Sequence, residues 1–366
     1  MRRVAIGCQA TGKFRKKSKS SIFEIACEPC IDILKKGKIS KDKIDAVLFS
    51  TCATEQYSSN IISEMLDIKP KICHTIESLC NSGTNAIVSA YAYILAGLCD
   101  SALVVGAEKA NSLGNRLAWD VSRGSFILPV YWAALFAKAH MRKYGTTEEQ
   151  MGSISVKNHM NAQKNHNALF NQQITLTDVM ESRKIVDPIK LLDCSCTCDG
   201  SSAVLLLSEE VAKEVSDNPV WIKGIGQETS SASFSKVSKD LSTMEAAKIA
   251  ARKAYSMSKT NSHNIDVAEV HDAFTILEIL AYEDLGFTEK GKGGEFVNQN
   301  QIVINPRGGI LGCGHPVGTT GIAQTAEIAA QLSEKAGKRQ IKGCKVGLIH
   351  NVAAAGTSAT VIILAV

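Results

Sequence analysis

Cys80 stands where a cysteine can act as a nucleophile. In "ESLCNSGTNAIVSAYAYILAG" (Glu77–Gly97) it separates an apolar, strand-like run from a helical pattern that starts with small residues. The N-terminus of a helix offers unpaired N–H groups and the positive end of the helix dipole, which stabilise a thiolate and a nearby oxyanion. Most buried cysteines are inert packing residues. Taken alone, Cys80 therefore leaves both interpretations open.

Three histidines occupy comparable places in the sequence. His315 lies in the glycine-rich stretch "NPRGGILGCGHPVGTTG" (Asn305–Gly321), where glycines permit positive φ angles and the close approach of a ligand. His271 opens "HDAF" and His350 opens "HNVAAAG", each after a strand-like run. In open α/β sheets, ligands gather beyond the carboxyl ends of the strands. We expect these histidines and Cys80 to converge at one edge of a sheet, which favours catalysis more than any one residue does.

The elements that must position these residues alternate between strand-like and helical patterns. This alternation is typical of an α/β protein with parallel strand pairing. The order also repeats: "IDVAEVHDA" echoes "IDAVLFSTC", "KVGLIHNVAAAG" echoes "SALVVGAEKA", and "SATVIILAV" echoes "SAVLLLSEE". The sequence therefore predicts a duplicated unit rather than an array of short repeats.

The predicted duplication divides the chain into four segments. Residues 1–112 form the first half, residues 113–199 form an insertion, residues 200–217 carry the last strand of the first half, and residues 218–366 form the second half. The insertion is polar and rich in Lys, Asn, His and Gln. Because substrate contacts usually lie on such segments above a rigid base, we expect the insertion to contact the substrate.

The composition argues against a nucleic-acid-binding protein and against a membrane-spanning one. The net charge of the 366 residues is only +5, with the basic residues scattered, which argues against a nucleic-acid partner. No apolar run approaches the roughly 18–20 residues of a membrane span, and no targeting segment precedes the first strand. Twelve cysteines without a signal peptide indicate free thiols in a reducing compartment. We therefore expect a cytoplasmic enzyme.

The quoted motifs resemble those of thiolases. "LCNSG" resembles the nucleophile motif of that family, and "GGILGCGHPVGTTG" resembles its Gly-His-Pro signature. The likeness is strongest to sterol carrier protein x-type thiolases and archaeal acetoacetyl-CoA thiolases (acetyl-CoA acetyltransferases), which have His-Asp and His-Asn at the positions of "HDAF" and "HNVAAAG". The resemblance implies a thiolase fold, in which duplicated βαβαβαββ halves form a five-layered αβαβα core with a loop-domain insertion.

The resemblance also implies an activity and a set of roles. The activity is that of an acetyl-CoA C-acetyltransferase, which condenses two acetyl-CoA into acetoacetyl-CoA and CoA or catalyses the reverse thiolysis. A CoA thioester would be the substrate, with no permanently bound cofactor and no assigned CoA-binding residues. Cys80 would carry the acyl group, His315 would take its proton, and His271 with His315 would polarise the thioester carbonyl. The backbone N–H of Cys80 and one near Val352 would form a second oxyanion hole.

The group that moves the α-proton stays open at this stage. Other thiolases use a C-terminal cysteine where this chain has His350, and sterol-carrier-type thiolases use one where this chain has Ala273. Cys313, just before the Gly-His-Pro motif, is one candidate and His350 is another. Cys313 could equally be a small packing residue.

Two other functions remain open from the sequence. One is a related condensing enzyme, such as a ketoacyl or hydroxymethylglutaryl-CoA synthase, although those relatives lack such a glycine-rich loop. The other is an acyl-CoA-binding scaffold subunit. The resemblance further implies a homodimer or homotetramer, and possible association with a hydroxymethylglutaryl-CoA synthase and a zinc-ribbon/OB-fold protein. No metal site is expected, because "CEPC" (Cys27–Cys30) lies in a helical pattern and "CSCTCDG" (Cys194–Gly200) lacks a partner cluster.

Overall fold

The computed structural model describes residues 2–110, 128–232, 240–299 and 302–366. The first half of the chain contains β1 (Val4–Thr11), α1 (Ile22–Lys36), β2 (Ala46–Ser50), α2 (Ser58–Met65), β3 (Ile72–Ile76), α3 (Ser82–Leu95) and β4 (Ser101–Glu108). The predicted insertion starts at residue 113, and its residues 113–127 lie outside the described residues. Its boundaries stay a prediction.

The remaining elements complete both halves. The inserted region contains α4 (Pro129–Tyr144), α5 (Glu148–Ala162), α6 (Leu176–Glu181), β5 (Lys184–Val186) and β6 (Ile189–Lys190), and β7 (Gly200–Ser208) with α7 (Glu209–Val215) follows. The second half contains β8 (Val220–Thr229), α8 (Glu245–Ser258), β9 (Val267–Glu269), α9 (Thr275–Asp284), α10 (Gly293–Phe296), β10 (Val303–Ile304), α11 (Gly309–Cys313), α12 (Thr320–Leu332), β11 (Val346–Ala353) and β12 (Ser358–Ala365).

The strand order confirms the predicted duplication. The ten-stranded sheet runs β10-β9-β11-β12-β8-β1-β7-β4-β2-β3. Each half therefore places its third, second, fourth, fifth and first strands side by side. β2 is parallel to β3 and β4, and β9 is parallel to β10 and β11. The halves join where β1 and β8 pair antiparallel over two residue pairs.

Alternating side chains on the strands build the predicted five layers. Ala46 and Leu48 of β2 face an inner core that contains α3 and α12, whereas Val47 and Phe49 face an outer core with α1 and α2. On β11, Leu348 faces a second outer core that contains α8 and α9, and its neighbour Ile349 faces the inner core. Successive strand residues point to opposite faces, so both sheet faces are covered. The αβαβα layering is confirmed.

Two local expectations need correction. The stretch Cys194–Cys198 has alternating cysteines that suit a strand, yet it makes only single bridges, from Cys194 to Phe274 and from Thr197 to His315. Its two bridges go to different segments of the chain, so the stretch does not form a regular hydrogen-bonded ladder with either one. His350 was expected to end its strand, but β11 continues to Ala353, and His350 pairs with Val361 inside it. Among the described residues, no helix is both long and apolar enough to cross a membrane.

Helices α3 and α12 approach each other closely at Gly83. A Cβ atom on Gly83 would lie 2.8 Å from the backbone nitrogen of Ile322 and 3.1 Å from the carbonyl oxygen of Gly318. Both atoms are backbone atoms, so neither can swing aside. Since α3 begins two residues after Cys80, this contact fixes the first turn of α3 against the loop that carries His315.

We expect Gly83→Ala to destabilise the protein because its methyl group meets two backbone atoms. Overpacking of this kind costs about 1–3 kcal/mol, more than the helix propensity that alanine gains over glycine. Chemical denaturation measures the free energy of unfolding. The matched control is Ser89→Ala on the partly exposed face of α3, which should change it by less than about 0.5 kcal/mol. Equal stability of the two variants would contradict this account of the α3–α12 contact.

Candidate active site

Cys80 lies in a short turn immediately before α3. The turn is a 3₁₀ helix over Leu79–Asn81, and Leu79 has a positive φ of 51°. The carboxylate of Glu77 accepts a hydrogen bond from the N–H of Leu79 (2.8 Å). Cys80 therefore lies immediately before the α-helix, at the N-terminus where the sequence pattern predicts it. Its side chain is half-buried.

The structure brings together Cys80, His271 and His315. Sγ of the cysteine and one ring nitrogen of each histidine all lie within 4.8 Å of one another. The two imidazole rings meet edge to face, with 5.5 Å between their centroids and 78° between their planes. The cysteine comes from the first half of the chain and both histidines come from the second half. The nucleophile candidate thus has two imidazoles within reach.

Hydrogen bonds on the far side of each ring assign the two imidazole tautomers. Nδ1 of His315 lies 2.8 Å from Oγ1 of Thr320, and that hydroxyl donates to the carbonyl of Pro316 (3.2 Å). His315 must then donate through Nδ1, which leaves a lone pair on Nε2. Nδ1 of His271 accepts from Nδ2 of Asn351 (3.3 Å), so its proton is on Nε2. One ring presents an acceptor to the site and the other presents a donor.

Burial keeps all three groups neutral at rest. It raises the pKa of the Cys80 thiol to about 12, although the backbone N–H groups of Ala354 and of Cys80 itself oppose the shift. Burial, together with the charge of Arg307, lowers the pKa of His315 to about 4. The pKa of His271 lies well below its ordinary value for the same reason, with His315 and His350 adding to the effect. Near pH 7, the site is a thiol beside two uncharged imidazoles.

The backbone donor near the thiol comes from Ala354. The N–H groups of Ala354 and of Cys80 itself both favour the thiolate and so lower the pKa of the Cys80 thiol. Val352, the residue named from the sequence, lies two positions earlier in β11 and pairs with Ala359. Ala354 follows the end of the strand and has a positive φ of 51°. The chain turns there, and this turn directs the N–H of Ala354 towards the sulfur.

Cys313 does not reach this site. Its thiol donates to the carbonyl oxygen of Arg307 (2.9 Å) and accepts from the amide of Asn165 (3.4 Å). Its side chain packs in a separate small core with Phe14 and Ala162. The proposed role of Cys313 as a base for the substrate is therefore not supported by its position, and its packing role is.

His350 lies behind His271 and does not face the substrate side. It is fully buried, and its Nδ1 accepts a long hydrogen bond from the backbone N–H of His271 (3.5 Å). Burial lowers the pKa of His350 to about 3. The described wall of the cavity at Cys80 does not include His350. Its contact with the His271 backbone suits a residue that orients its neighbour.

A buried carboxylate connects the loops that carry His271 and His315. Asp272 accepts hydrogen bonds from the N–H groups of Ile310 (2.6 Å) and Leu311 (3.1 Å) and from the side-chain amide of Asn158 (2.7 Å). Burial and the nearby Glu278 raise the pKa of Asp272. On the other side, the N–H of His315 donates to the carbonyl of Cys196 (2.8 Å). Both histidine loops are therefore anchored through their backbones.

A cavity of about 350 Å³ opens onto Cys80, His271 and His315. The rest of its described wall is mostly apolar and comes largely from the inserted region, with Leu128, Pro129, Val130, Trp132, Ile185, Leu191, Cys194, Ser195 and Thr197. Ala273, Phe274, Leu277, Val317, Leu79 and Ala354 complete it. The sequence analysis missed Trp132 and Cys194 as site residues. An aromatic residue in a helix and a cysteine in an alternating run gave no signal that separates a cavity wall from core.

Comparison with known proteins identifies the class. The Thiolase N-terminal domain profile matches residues 1–210, and the Thiolase C-terminal domain-like profile matches residues 226–366. The acetyl-CoA acetyltransferase of Methanothermobacter thermautotrophicus is 34% identical over 99% of both chains. That of Methanocaldococcus jannaschii is 31% identical over 99% of this chain and 98% of its own. The chain belongs to the thiolase family, and it is an acyltransferase.

Other similar proteins agree with this assignment. Sterol carrier protein 2 of Bos taurus is 34% identical over 77% of this chain and 56% of its own length. The solved Ltp2-ChsH2(DUF35) aldolase superposes with a TM-score of 0.88 at 23% identity over 99% of this chain and 97% of its own. An acetyl-CoA acetyltransferase from Syntrophomonas wolfei has a TM-score of 0.77 at 16% identity, over 100% and 99% of the two chains. At such identities the two solved structures show a shared fold.

The neutral resting state predicts how Cys80 reacts with an alkylating agent. Because the thiolate is the reactive form and burial raises the thiol pKa, we expect the rate of alkylation by iodoacetamide to rise steadily between about pH 6 and 9. Each pH unit should raise the thiolate fraction about tenfold. Mass spectrometry of the Cys80 peptide separates this site from the other cysteines, and Cys80→Ser is the control. A rate that is already constant from pH 6 would indicate a preformed thiolate–imidazolium pair.

Proposed function

We propose that the protein is an acetyl-CoA C-acetyltransferase, which joins two acetyl-CoA into acetoacetyl-CoA and CoA or cleaves acetoacetyl-CoA with CoA. The observation that carries the proposal is the Cys80 thiol beside two imidazoles of opposite tautomer on the wall of one cavity. Two full-length archaeal relatives with that name support the acetyl substrate. The CoA thioester is a substrate, and the chemistry requires no further cofactor.

The first half-reaction transfers an acetyl group to Cys80. Nε2 of His315 takes the thiol proton as Sγ attacks the thioester carbonyl, which replaces a hard transfer by two easier ones. The N–H groups of Cys80 and Ala354 lie where they can donate to the oxygen that becomes negative. When the intermediate collapses, the C–S bond to CoA breaks, and the imidazolium returns its proton to the departing CoA thiolate. His315 is then neutral again.

The second half-reaction forms the carbon–carbon bond. A second acetyl-CoA loses a proton from its α-carbon, and negative charge develops on its carbonyl oxygen. Nε2–H of His271 is a fixed donor for that oxygen. The α-carbon attacks the acetyl carbonyl on Cys80, and the Cys80–acyl bond breaks to give acetoacetyl-CoA and the free sulfur. Because His271 is neutral and already oriented, it stabilises the enolate without giving up its proton.

Two groups on the described cavity wall are suited to take the α-proton while Cys80 carries the acetyl group. One is Nε2 of His315, which has a free lone pair at this stage. The other is Cys194, which could accept the proton only as a thiolate, because burial raises its thiol pKa to about 12 and the thiol donates to the carbonyl of Lys190 (3.3 Å). Cys313, in α11, and His350, inside β11, do not line the described cavity wall and take no direct part in the proposed step.

The proposal includes homo-oligomerisation and a protein partner. The family resemblance supports a homodimer or homotetramer. It also supports a complex with a hydroxymethylglutaryl-CoA synthase and a zinc-ribbon/OB-fold protein, and the similar Ltp2 structure is named as a complex with a DUF35 protein. All twelve cysteines are free, which supports a reducing, cytoplasmic location. Matches to both thiolase domains favour this activity over that of the related condensing enzymes.

A thiolysis assay tests the proposed function. Acetoacetyl-CoA mixed with free CoA and the protein should lose its ketoacyl absorbance, and Cys80→Ala should reduce the rate to background because no other described thiol lies beside both histidines. Cys344→Ala, a partly exposed cysteine outside the cavity, is the matched control and should keep the wild-type rate. Binding of acetoacetyl-CoA without turnover by the wild-type protein would instead support the scaffold function.

A pair of cysteine variants tests the assignment of the α-proton. Cys313→Ala should retain both Cys80 acetylation and condensation, since its thiol faces Arg307 and Asn165. Cys194→Ala changes the cavity wall. Retained acetylation with condensation lowered about 100-fold or more would assign the proton transfer to Cys194, and unchanged condensation would assign it to His315. Loss of condensation in Cys313→Ala alone would contradict the geometry described above.

A further inference from the structure

The three groups of the active site are also a set of zinc ligands. One thiolate and two imidazoles, with a fourth position left open, form a donor set that Zn²⁺ takes in catalytic sites. Cys80, His271 and His315 offer Sγ and two ring nitrogens within 4.8 Å of one another. The cavity in front of them leaves room for a fourth ligand. Among the described residues, this is the one group with three such ligand atoms close together.

The outer hydrogen bonds of the rings suit metal binding. Metal-bound histidines usually donate their other ring N–H to a neighbouring oxygen, which fixes the ring. His315 already does so, through Nδ1 to Thr320. His271 would need its proton on Nδ1, and the fully buried Oδ1 of Asn351 has no hydrogen-bond partner. Turning the amides of Asn351 and of Gln324, whose Nε2 also has no partner, places the Asn351 oxygen as the acceptor for Nδ1–H of His271 and keeps the hydrogen bond between the two side chains. Nε2 of His271 is then free for the metal.

The distances permit a compact site. With Zn–S of about 2.3 Å and Zn–N of about 2.0–2.1 Å, a tetrahedral ion needs ligand atoms about 3.3–3.6 Å apart. The ligand atoms would close by at most about 1.2–1.5 Å from the 4.8 Å limit, which side-chain rotations can supply. Soft and borderline cations are favoured because the donors are sulfur and nitrogen. Mg²⁺ and Ca²⁺, which prefer oxygen ligands, fit poorly.

We propose that the enzyme without an acyl group binds a divalent cation of the zinc class through Cys80, His271 and His315, and that this binding inhibits it reversibly. A metal–sulfur bond forms, the S–H bond of Cys80 breaks, and the proton passes to solvent, with no change in oxidation state. The bound sulfur can no longer attack a thioester. Because an acetyl group occupies the same sulfur, acylation and metal binding exclude each other. The open fourth position faces the cavity and accepts a thiolate, such as that of free CoA.

Cobalt is the probe for the metal site because a tetrahedral Co²⁺–thiolate centre absorbs visible light. Titration of the full-length protein with Co²⁺ should give charge-transfer and ligand-field bands, which Zn²⁺ abolishes and Mg²⁺ does not. Cys80→Ser should lose the charge-transfer band, and His315→Asn should lose the tetrahedral ligand-field pattern. His263→Asn, an exposed histidine elsewhere, is the matched control and should keep both. Thermal unfolding of each variant establishes that it is folded.

Two further measurements separate this proposal from a general effect of metals on thiols. Thr320→Val removes the outer hydrogen bond of His315 and should weaken Zn²⁺ binding about 10–100-fold, measured by competition with a chromophoric chelator. Protein acetylated on Cys80 should show no cobalt bands. Bands that survive Cys80→Ser, or Zn²⁺ binding that is unaffected by both His315→Asn and Thr320→Val, would overturn the proposal. The cobalt spectrum does not depend on turnover, so its outcome is distinguishable from that of the thiolysis assay.

Discussion

The hydrogen bonds of the Asp272 carboxylate hold the segment that carries His271 against the loop that leads to His315. A carboxylate without solvent is costly unless it is well supplied with donors. Here the donors are the N–H groups of Ile310 and Leu311 and the amide of Asn158. Asp272 follows His271 directly, and the two N–H groups belong to the loop that leads to His315. The need to satisfy one buried carboxylate therefore brings two distant parts of the chain together.

The chemistry of the site depends on neutrality more than on charge. Burial disfavours the thiolate of Cys80 and the imidazolium forms of both histidines, so no ion pair is present at rest. In the proposed mechanism, charge appears only during reaction, when the proton moves to His315 or negative charge develops on a substrate oxygen. Donors that are fixed beforehand then act in a region with little water, where electrostatic interactions are strong. The tautomers of His271 and His315 give one donor and one acceptor for these steps.

The sequence predicted the architecture because the duplication repeats whole strand patterns, such as "IDVAEVHDA" after "IDAVLFSTC". It also predicted that Cys80, His271, His315 and His350 would converge, and the first three do meet. His350 lies behind His271, away from the described cavity wall. The sequence could not predict the direction of a side chain. Cys313 stands two residues before His315 but belongs to α11, which turns its thiol towards Arg307.

Other details depend on where an element ends. β11 extends three residues beyond His350, so the strand encloses this ring and the backbone donor comes from Ala354. Trp132 lies in a helix of the inserted region, and the sequence pattern of that helix does not distinguish a residue on the cavity from one in the core. The segment of Cys194 is held at the cavity by single bridges to Phe274 and His315. Isolated bridges of this kind produce no periodic pattern in the sequence. Long-range contacts of this kind are visible only in three dimensions.

The two repeated halves, joined by the short pairing of β1 with β8, have become chemically unequal. One copy contributes the sulfur and the other contributes both imidazoles, although their strand orders are the same. The site therefore combines residues of both copies, and neither copy by itself has the complete set of three groups. The position of one half relative to the other therefore sets the distances between the Cys80 sulfur and the two imidazole rings.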